Sequence, residues 1–392
     1  MIREQGNTLK LATLLFTALL GANLALAEIS QSTISTYNSA LASDGSAEEI
    51  AIAAEALGKD AIANADDDNA ALYAFEAAWT LCRIGAFDKA VSISDFAVQQ
   101  GNIDDGATPS LEMRTVLASY AAWKAAPSRR TRRSLEAALD TLADGDASPV
   151  TITAHQDLYS SYARDGRWRS AARAADKAAA HMEPVADEVS QLYAMARMTG
   201  ITASFNANPR RADMERMVHL EGYLAARVPD VEADNWVSEA YWRAQAWRMA
   251  MGAYFRSVNE RGVSDNEVND ILVGYPRPLP GEIGAYASTD LLDEDPLPFC
   301  EAGQLNAKPS LQYPSRALRS GQFGAVIVRF KFVDGAVTDP EVLASVPLEG
   351  FRETAAETIR KWMWVVDEGV DQSTCSLSRD NVVLPVVFAI GG

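Results

Sequence analysis

The 392-residue chain contains little of what an enzyme, a metalloprotein or a nucleic-acid-binding protein needs. Its three histidines, His155, His181 and His219, fall on separate predicted helices without metal-ligand spacing. The sequence has no phosphate loop, dinucleotide-binding fingerprint or Gly-x-Ser-x-Gly motif. Only 35 Lys and Arg face 53 Asp and Glu, and the resulting net charge of -18 repels phosphate backbones. We predict no catalytic residue, cofactor, metal site or nucleic-acid partner.

Two short runs of like charge have simple structural explanations. Arg129, Arg130, Arg132 and Arg133 form a basic cluster, which indicates a solvated loop or helix start more often than a binding patch. The acidic run 66–68 precedes a predicted helix, where carboxylates interact favourably with the helix dipole. A calcium loop would need alternating ligands and a following Glu.

Long hydrophobic runs are also absent after the first 27 residues. Arg3 and Lys10 precede an uncharged apolar stretch, residues 11–27, which ends in Ala25-Leu26-Ala27. This pattern predicts a signal peptide, residues 1–27, that is cleaved after Ala27. An uncleaved membrane anchor is the alternative, because the stretch is at the short limit of a bilayer span. We expect a mature protein that is soluble outside the cytoplasm.

Cysteine is scarce, and its three positions differ in context. Cys300 lies in a Pro-rich loop and Cys375 lies in a polar loop near the C-terminus. Because cysteines in the loops of exported proteins tend to pair, we predict a Cys300–Cys375 disulfide. Cys82 lies among apolar residues on a predicted helix, so we expect a buried free thiol.

Residues 28–262 show the helical period, with apolar residues returning every three or four positions. Two stretches, beginning at Gly85 and at Gly166, share a glycine, an aromatic residue two positions later and an alanine three after that. These positions resemble the tetratricopeptide repeat, in which the glycine opens the turn between two helices. We predict an all-α helical-repeat body; a helical hairpin bundle without true repeats is the alternative.

Residues 263–308 change character, since Gly, Pro, Asp and Glu dominate and five prolines interrupt any helix. Such a run is typical of a linker. Residues 309–392 then predict a small α+β domain in the order helix, strand, strand, helix, strand. The strands are expected at 326–332, 337–343 and 382–390, the second helix at 348–364, and Asp334-Gly335 marks the tight turn of a hairpin. The chain is therefore multidomain, with a three-stranded antiparallel sheet at its C-terminal end.

The C-terminal residues carry a family resemblance. Tyr313-Pro314, Ala317, Gly321 and Gly324 are followed by alternating Val326, Val328 and Phe330, and then by Phe351, Ala355, Trp362 and Val386-x-Phe388. In this order and spacing, they resemble the C-terminal domain of the TonB family. The resemblance implies a non-enzymatic periplasmic protein whose last strand binds a short segment of an outer-membrane transporter.

An open sheet edge can bind an extended peptide by strand addition. Carried over from the resemblance, the partner-binding strand is formed by Val382, Val383, Leu384, Val386, Val387, Phe388, Ala389 and Ile390. The half of these side chains that faces the core would only complete the sheet. Pro385 lacks a donor, which is consistent with an edge strand.

The sequence departs from energy-transducing family members, which keep an N-terminal membrane helix and a long Pro-rich spacer. A cleaved chain cannot pull on a transporter. Two hypotheses therefore stand: a TonB-like component of outer-membrane transport, and a periplasmic scaffold or adaptor with no role in energised transport. An uncleaved N-terminus would instead anchor the chain in the inner membrane, facing the periplasm. An envelope enzyme with a site assembled from distant residues is a third, weaker hypothesis.

Overall fold

The computed structural model describes residues 28–43, 45–103, 105–143, 145–227, 236–257, 297–319, 322–347 and 350–388. The predicted signal peptide, most of the predicted linker, Gly321, Ala389 and Ile390 lie outside these residues.

The described chain up to Val189 forms a series of helices separated by short turns. They are α1 Gln31–Ala42, α2 Ala47–Ala63, α3 Ala70–Arg83, α4 Phe87–Gln99, α5 Leu111–Ala125, α6 Arg129–Leu139, α7 Pro149–Arg164 and α8 Trp168–Met182. Several starts are fixed by capping boxes, in which the N-cap side chain accepts from the third helical N–H and the third residue binds back. Ser46 with Glu49, Ser128 with Thr131 and Ser148 with Thr151 are of this kind. Each box satisfies donors that a helix start otherwise leaves free.

Two helix pairs coincide with the sequence stretches that resemble a repeat. Gly85 joins α3 to α4 with a φ of 83°, and Gly166 joins α7 to α8 with a φ of 67°, a backbone region that glycine adopts readily. Phe87 and Trp168, the aromatic residues of the two stretches, are the first residues of the second helices. The all-helical body is therefore observed, while its assignment to the tetratricopeptide class stays a prediction.

Three further helices and a mixed C-terminal segment follow. The helices are α9 Ser190–Ala207, α10 Arg211–Ala225 and α11 Trp236–Ser257. The remainder contains β1 Gly303–Asn306, α12 Ser315–Arg319, β2 Gly324–Val333, β3 Ala336–Val346, α13 Arg352–Ile359, β4 Met363–Val366 and β5 Arg379–Phe388. None of the helices in the described ranges has both the length and the apolar character needed to cross a membrane.

The chain divides into two compact units that do not follow the predicted domain boundaries. Of the described residues, the first unit contains those up to Asp165 and Lys177–Val189, and the second contains Gly166–Asp176 and those from Ser190 onward. Helices α9 to α11 thus belong to the same compact unit as the C-terminal sheet. Compactness does not show which segments fold alone, so the predicted domains stay a prediction.

The described part of the C-terminal sheet has five antiparallel strands in the order β1-β4-β3-β2-β5, and the predicted number of three is wrong. Both missed strands, β1 and β4, have four residues; β1 has one large apolar residue and β4 is apolar throughout, so neither shows an alternation of apolar and polar residues. The predicted helix 348–364 is also too long, because α13 ends at Ile359 and β4 begins at Met363. The predicted hairpin turn is present, with φ angles of 50° at Asp334 and 80° at Gly335.

The two faces of the sheet pack against different helices. Val326, Val328 and Phe330 of β2 pack with Phe351 and Ile359 around α12 and α13. On the opposite face, a second hydrophobic cluster joins α9, α10 and α11 to the sheet. Its sheet members are Ala325, Ile327 and Val346, with the half-buried Leu343, Ala344 and Val383 packed against it. The sheet is therefore covered on both sides where β2 begins.

Aromatic rings connect the helices to the start of β2. The rings of Tyr254 on α11 and Phe323 lie 5.0 Å apart, and Phe205 on α9 is 5.4 Å from Tyr254 and 6.5 Å from Phe323. Other aromatic residues of the helices belong to the hydrophobic core. Trp123, Tyr159 and Trp242 are buried, and Trp236 and Trp247 are partly buried against the second cluster.

Candidate functional site

The two outer strands of the sheet differ in how far they are accessible. β1 forms one edge and β5 forms the other. β1 pairs with β4 over four residue pairs, from Gly303 opposite Val366 to Asn306 opposite Met363. β5 pairs with β2 over most of its ten residues, and no described strand pairs with its other side. The unpaired side of β5 is the longer of the two free edges.

Contacts from the segments just before and just after β1 hold this strand against the sheet. The Trp364 indole N–H donates to the Cys300 carbonyl at 2.9 Å, and the Trp362 indole N–H donates to the Pro309 carbonyl at 2.8 Å. The ring of Phe299 stacks on Phe332 at a centroid distance of 5.8 Å. These contacts tie residues 299–309 to the sheet and occupy the outer side of β4.

The disulfide predicted between Cys300 and Cys375 is present in the structure. Backbone hydrogen bonds accompany it: the Cys300 N–H donates to Ser376 at 2.9 Å, and the Ser376 N–H donates to Pro298 at 2.8 Å. The disulfide therefore joins the segment before β1 to the segment that leads into β5. Cys82 is a buried free thiol, and burial raises its pKa to about 12.

β5 forms a regular ladder with β2 from Val382, opposite Phe330, to Phe388, opposite Gly324. The ladder is interrupted before Val382, where the register shifts and Asn381 has a φ of 54°. Side chains alternate along the strand. Val382, Leu384, Val386 and Phe388 pack on the α12 and α13 side, whereas Val383 packs against the cluster formed with α9 to α11.

The same alternation applies to the backbone groups. Pro385 lies opposite Ile327 and has no N–H to donate, and proline occurs in strands where its nitrogen faces away from the neighbouring strand. In an antiparallel pair, each residue directs its N–H and C=O to the same side. Val383, Pro385 and Val387 therefore present their backbone groups to the free edge, and Val382, Leu384, Val386 and Phe388 present theirs to β2.

The residues of the family motif hold the end of β5 in place. The ring of Tyr313 lies 5.6 Å from Phe351 and 5.8 Å from Phe388, and the rings of Phe351 and Phe388 are 4.5 Å apart. At Gly324, a Cβ atom would come within 2.4 Å of the Val346 carbonyl oxygen, so only glycine fits. Ala317 and Trp362 are buried in the same cluster, and Pro314 lies next to Tyr313. These residues build the sheet rather than a contact surface.

Two of the three histidines meet in the first compact unit, which their sequence spacing does not indicate. His155 Nε2 on α7 lies 2.9 Å from His181 Nδ1 on α8, whereas His219 lies on α10. Burial, followed by the neighbouring charges of His181 and Lys177, lowers the pKa of His155 to about 3. Across the described residues, no group of three or more His, Cys, Asp or Glu side chains is arranged to hold a metal ion.

The charge runs lie at helix starts, as their sequence context indicates. Arg132 of the basic cluster pairs with Asp165 at 2.9 Å and lies over the ring of Tyr162. Asp67 of the acidic run accepts a hydrogen bond from the Asn69 N–H, just before α3. Both runs are accounted for by local structure.

Comparison with known protein families identifies one segment. Residues 309–374 match the family model described as the C-terminal domain of the Gram-negative bacterial TonB protein. The family resemblance is confirmed. The match begins at Pro309 and ends one residue before Cys375, so it includes α12, β2, β3, α13 and β4 but not β5. No curated protein matches the chain.

Proposed function

We propose that this protein binds an extended segment of an envelope protein by strand addition at the free edge of β5, with outer-membrane transporters as the first class of partner. The observation that carries the proposal is the position of β5 at an edge that no described strand pairs with, directly beside β2 of the TonB-like segment. An edge strand has unused backbone donors and acceptors, which an incoming strand can satisfy.

The residues around β5 support this role. The opposite edge is formed by the four-residue strand β1, so β5 offers an incoming strand the longer edge. Contacts from Tyr313 and Phe351 hold Phe388, and the disulfide at Cys375 restrains the segment that leads into the strand. A strand that is fixed in this way loses little conformational freedom on binding, which favours affinity.

A substitution at Val387 tests the proposal. Val387→Pro removes an outward N–H, whereas the ladder to β2 uses the neighbouring residues. Affinity for end-blocked nine-residue peptides from the periplasmic segments of outer-membrane transporters, measured by calorimetry, should fall by at least about ten-fold, since both the donor and the local geometry are lost. Val387→Thr, which keeps the N–H and the branched side chain, should retain binding. Unchanged binding by Val387→Pro would exclude the β5 edge.

The second hypothesis, a scaffold or adaptor, is favoured by a different observation. The sheet shares a hydrophobic cluster with α9 to α11, so the C-terminal segment is part of a larger compact unit. A docking module that is fixed to a helical body suits a scaffold. Helical repeats of the tetratricopeptide type, if present in residues 28–262, would offer a second protein-binding surface. Binding of envelope proteins without any transporter segment among them would favour this hypothesis.

Export to the periplasm is part of the proposal and rests on the pattern of residues 1–27. Sequencing of the mature N-terminus decides between the two forms. A chain that begins at Glu28 would be a soluble periplasmic protein, and an intact Met1 in the inner-membrane fraction would indicate an anchored one.

A further inference from the structure

The free edge of β5 has an unequal number of donors and acceptors. Within the regular ladder, three residues present their backbone outward: Val383, Pro385 and Val387. All three have a carbonyl oxygen, but the middle one has no N–H. Between Val382 and Phe388 the edge therefore has three acceptors and two donors, and the two donors are four positions apart, or about 13 Å along a strand.

We propose that Pro385 is a specificity-determining residue of this edge. Because it has no N–H, a bound strand accepts hydrogen bonds from Val383 and Val387, and the carbonyl of the bound strand between these two positions has no donor. This inference rests on the proposed strand addition at β5. It holds for either strand direction. In an antiparallel partner the residue opposite Pro385 loses its acceptor bond, and in a parallel partner the preceding residue does.

The spacing of the two donors on either side of Pro385 sets the minimum length of the partner segment. A bound strand must reach both donors, so it needs at least five residues in extended conformation across the edge. Within the regular ladder from Val382 to Phe388, a shorter peptide can reach only one of the two donors. The middle carbonyl of the partner faces the proline ring, where no hydrogen bond is available.

The proline also limits pairing between identical edges. Two copies of this chain that paired antiparallel at β5 would each contribute only two outward donors, and a proline in each strand would interrupt the new ladder. Natural proteins use proline on edge strands to prevent such association. Pro385 thus favours a short partner segment over a second copy of the sheet.

Ester analogues of the tightest transporter-derived peptide test the inference on the full chain. Replacement of one amide by an ester weakens a single carbonyl acceptor, and the N–H that it removes faces away from β5 in both strand directions. For the wild-type chain, esters opposite Val383 and Val387 should each reduce affinity by about three- to ten-fold. The ester opposite Pro385 should change affinity by less than two-fold.

A variant that restores the missing donor gives the complementary result. Pro385→Val supplies an N–H and keeps an apolar side chain of similar size at a half-buried position. It should bind the parent peptide about three- to ten-fold more tightly and should make the middle ester as harmful as the outer two. Pro340→Val, at a proline of β3 away from the edge, is the matched control and should leave the ester pattern as in the wild type.

The outcomes separate this inference from the proposed function. If no peptide binds the wild-type chain, both are wrong. If a peptide binds and Val387→Pro weakens its binding by about ten-fold or more, but all three esters weaken binding equally, strand addition stands and the role of Pro385 is wrong. The same conclusion follows if Pro385→Val changes neither the affinity nor the ester pattern.

Discussion

The two compact units of this chain differ in the contacts that stabilise each of them internally: those of the first unit join neighbours in sequence, and those of the second join elements far apart in sequence. In the first unit, helices that follow one another pack against one another, from α1 and α2 through α5 and α6. In the second unit, α11 packs against β2, β3 and β5, which come much later in the chain. Neighbour contacts follow from the helical period itself. Long-range contacts depend on which faces meet, and that information is not contained in any short stretch of sequence.

The largest expected effect breaks the long-range packing of the second unit. Ile327 is fully buried on the face of β2 that meets α9 to α11. In Ile327→Asp, a carboxylate without a partner is buried there at a cost of several kcal/mol, which is comparable to the stability of a small domain. We expect the variant to lose the cooperative unfolding transition of this unit in a urea titration followed by tryptophan fluorescence.

Val333 provides the matched control for that substitution. It lies on the same strand and, by alternation, on the same face, but it is 47 % exposed. Val333→Asp should lower the free energy of unfolding by less than about 1 kcal/mol. Equal effects at the two positions would mean that the helices do not cover this face of the sheet.

A somewhat smaller effect is expected from the buried ion pair between α10 and α11. Arg248 and Glu221 are 1 % and 6 % exposed, and Arg248 Nη2 lies 3.3 Å from Glu221 Oε1. In Arg248→Met, Glu221 is left as a buried charge without its partner, so the free energy of unfolding should fall by about 3–5 kcal/mol. Urea denaturation measures this loss.

The double variant tests whether the charge or the packing matters. Replacement of both residues, as Arg248→Met with Glu221→Leu, removes both charges and keeps much of the buried volume. It should recover most of the stability that Arg248→Met loses. A double variant that is no more stable than Arg248→Met would show that the residues act through shape rather than through charge.

The distinction between local and long-range contacts also explains which features the sequence could predict. The helix pair around Gly85, the hairpin at Asp334-Gly335 and the alternation of Val326, Val328 and Phe330 are local patterns, and all of them are present. The second covered face of the sheet was missed, although Ala325 and Ile327 are apolar on the side that the pattern leaves open. Their burial depends on helices encoded far upstream.

The candidate site shows the same division. The disulfide and the edge strand follow from loop context, a family resemblance and one proline, and the structure places Cys300 beside Cys375 and β5 at an edge. Strands β1 and β4 were missed because β1 has one large apolar residue and β4 is apolar throughout, so neither alternates apolar with polar residues. The meeting of His155 and His181 was missed because the two residues are 26 positions apart on the consecutive helices α7 and α8, and residue spacing does not show which faces of the two helices meet.

The smallest effect is expected in the first unit and depends on pH. Because the pKa of His155 is about 3 in the folded chain and about 6.5 when unfolded, the fold favours neutral imidazole. The corresponding stability is fully present above pH 6.5 and is lost as the pH falls toward 3. From pH 6.5 to 5.5 the free energy of unfolding should fall by about 1 kcal/mol. His155→Leu should flatten this pH dependence in urea titrations followed by circular dichroism. His219→Gln, at an exposed histidine of α10, should keep it. An equal slope in His155→Leu and the wild-type chain would mean that other groups cause the loss, and the buried histidine pair would then have no part in the acid sensitivity of this unit.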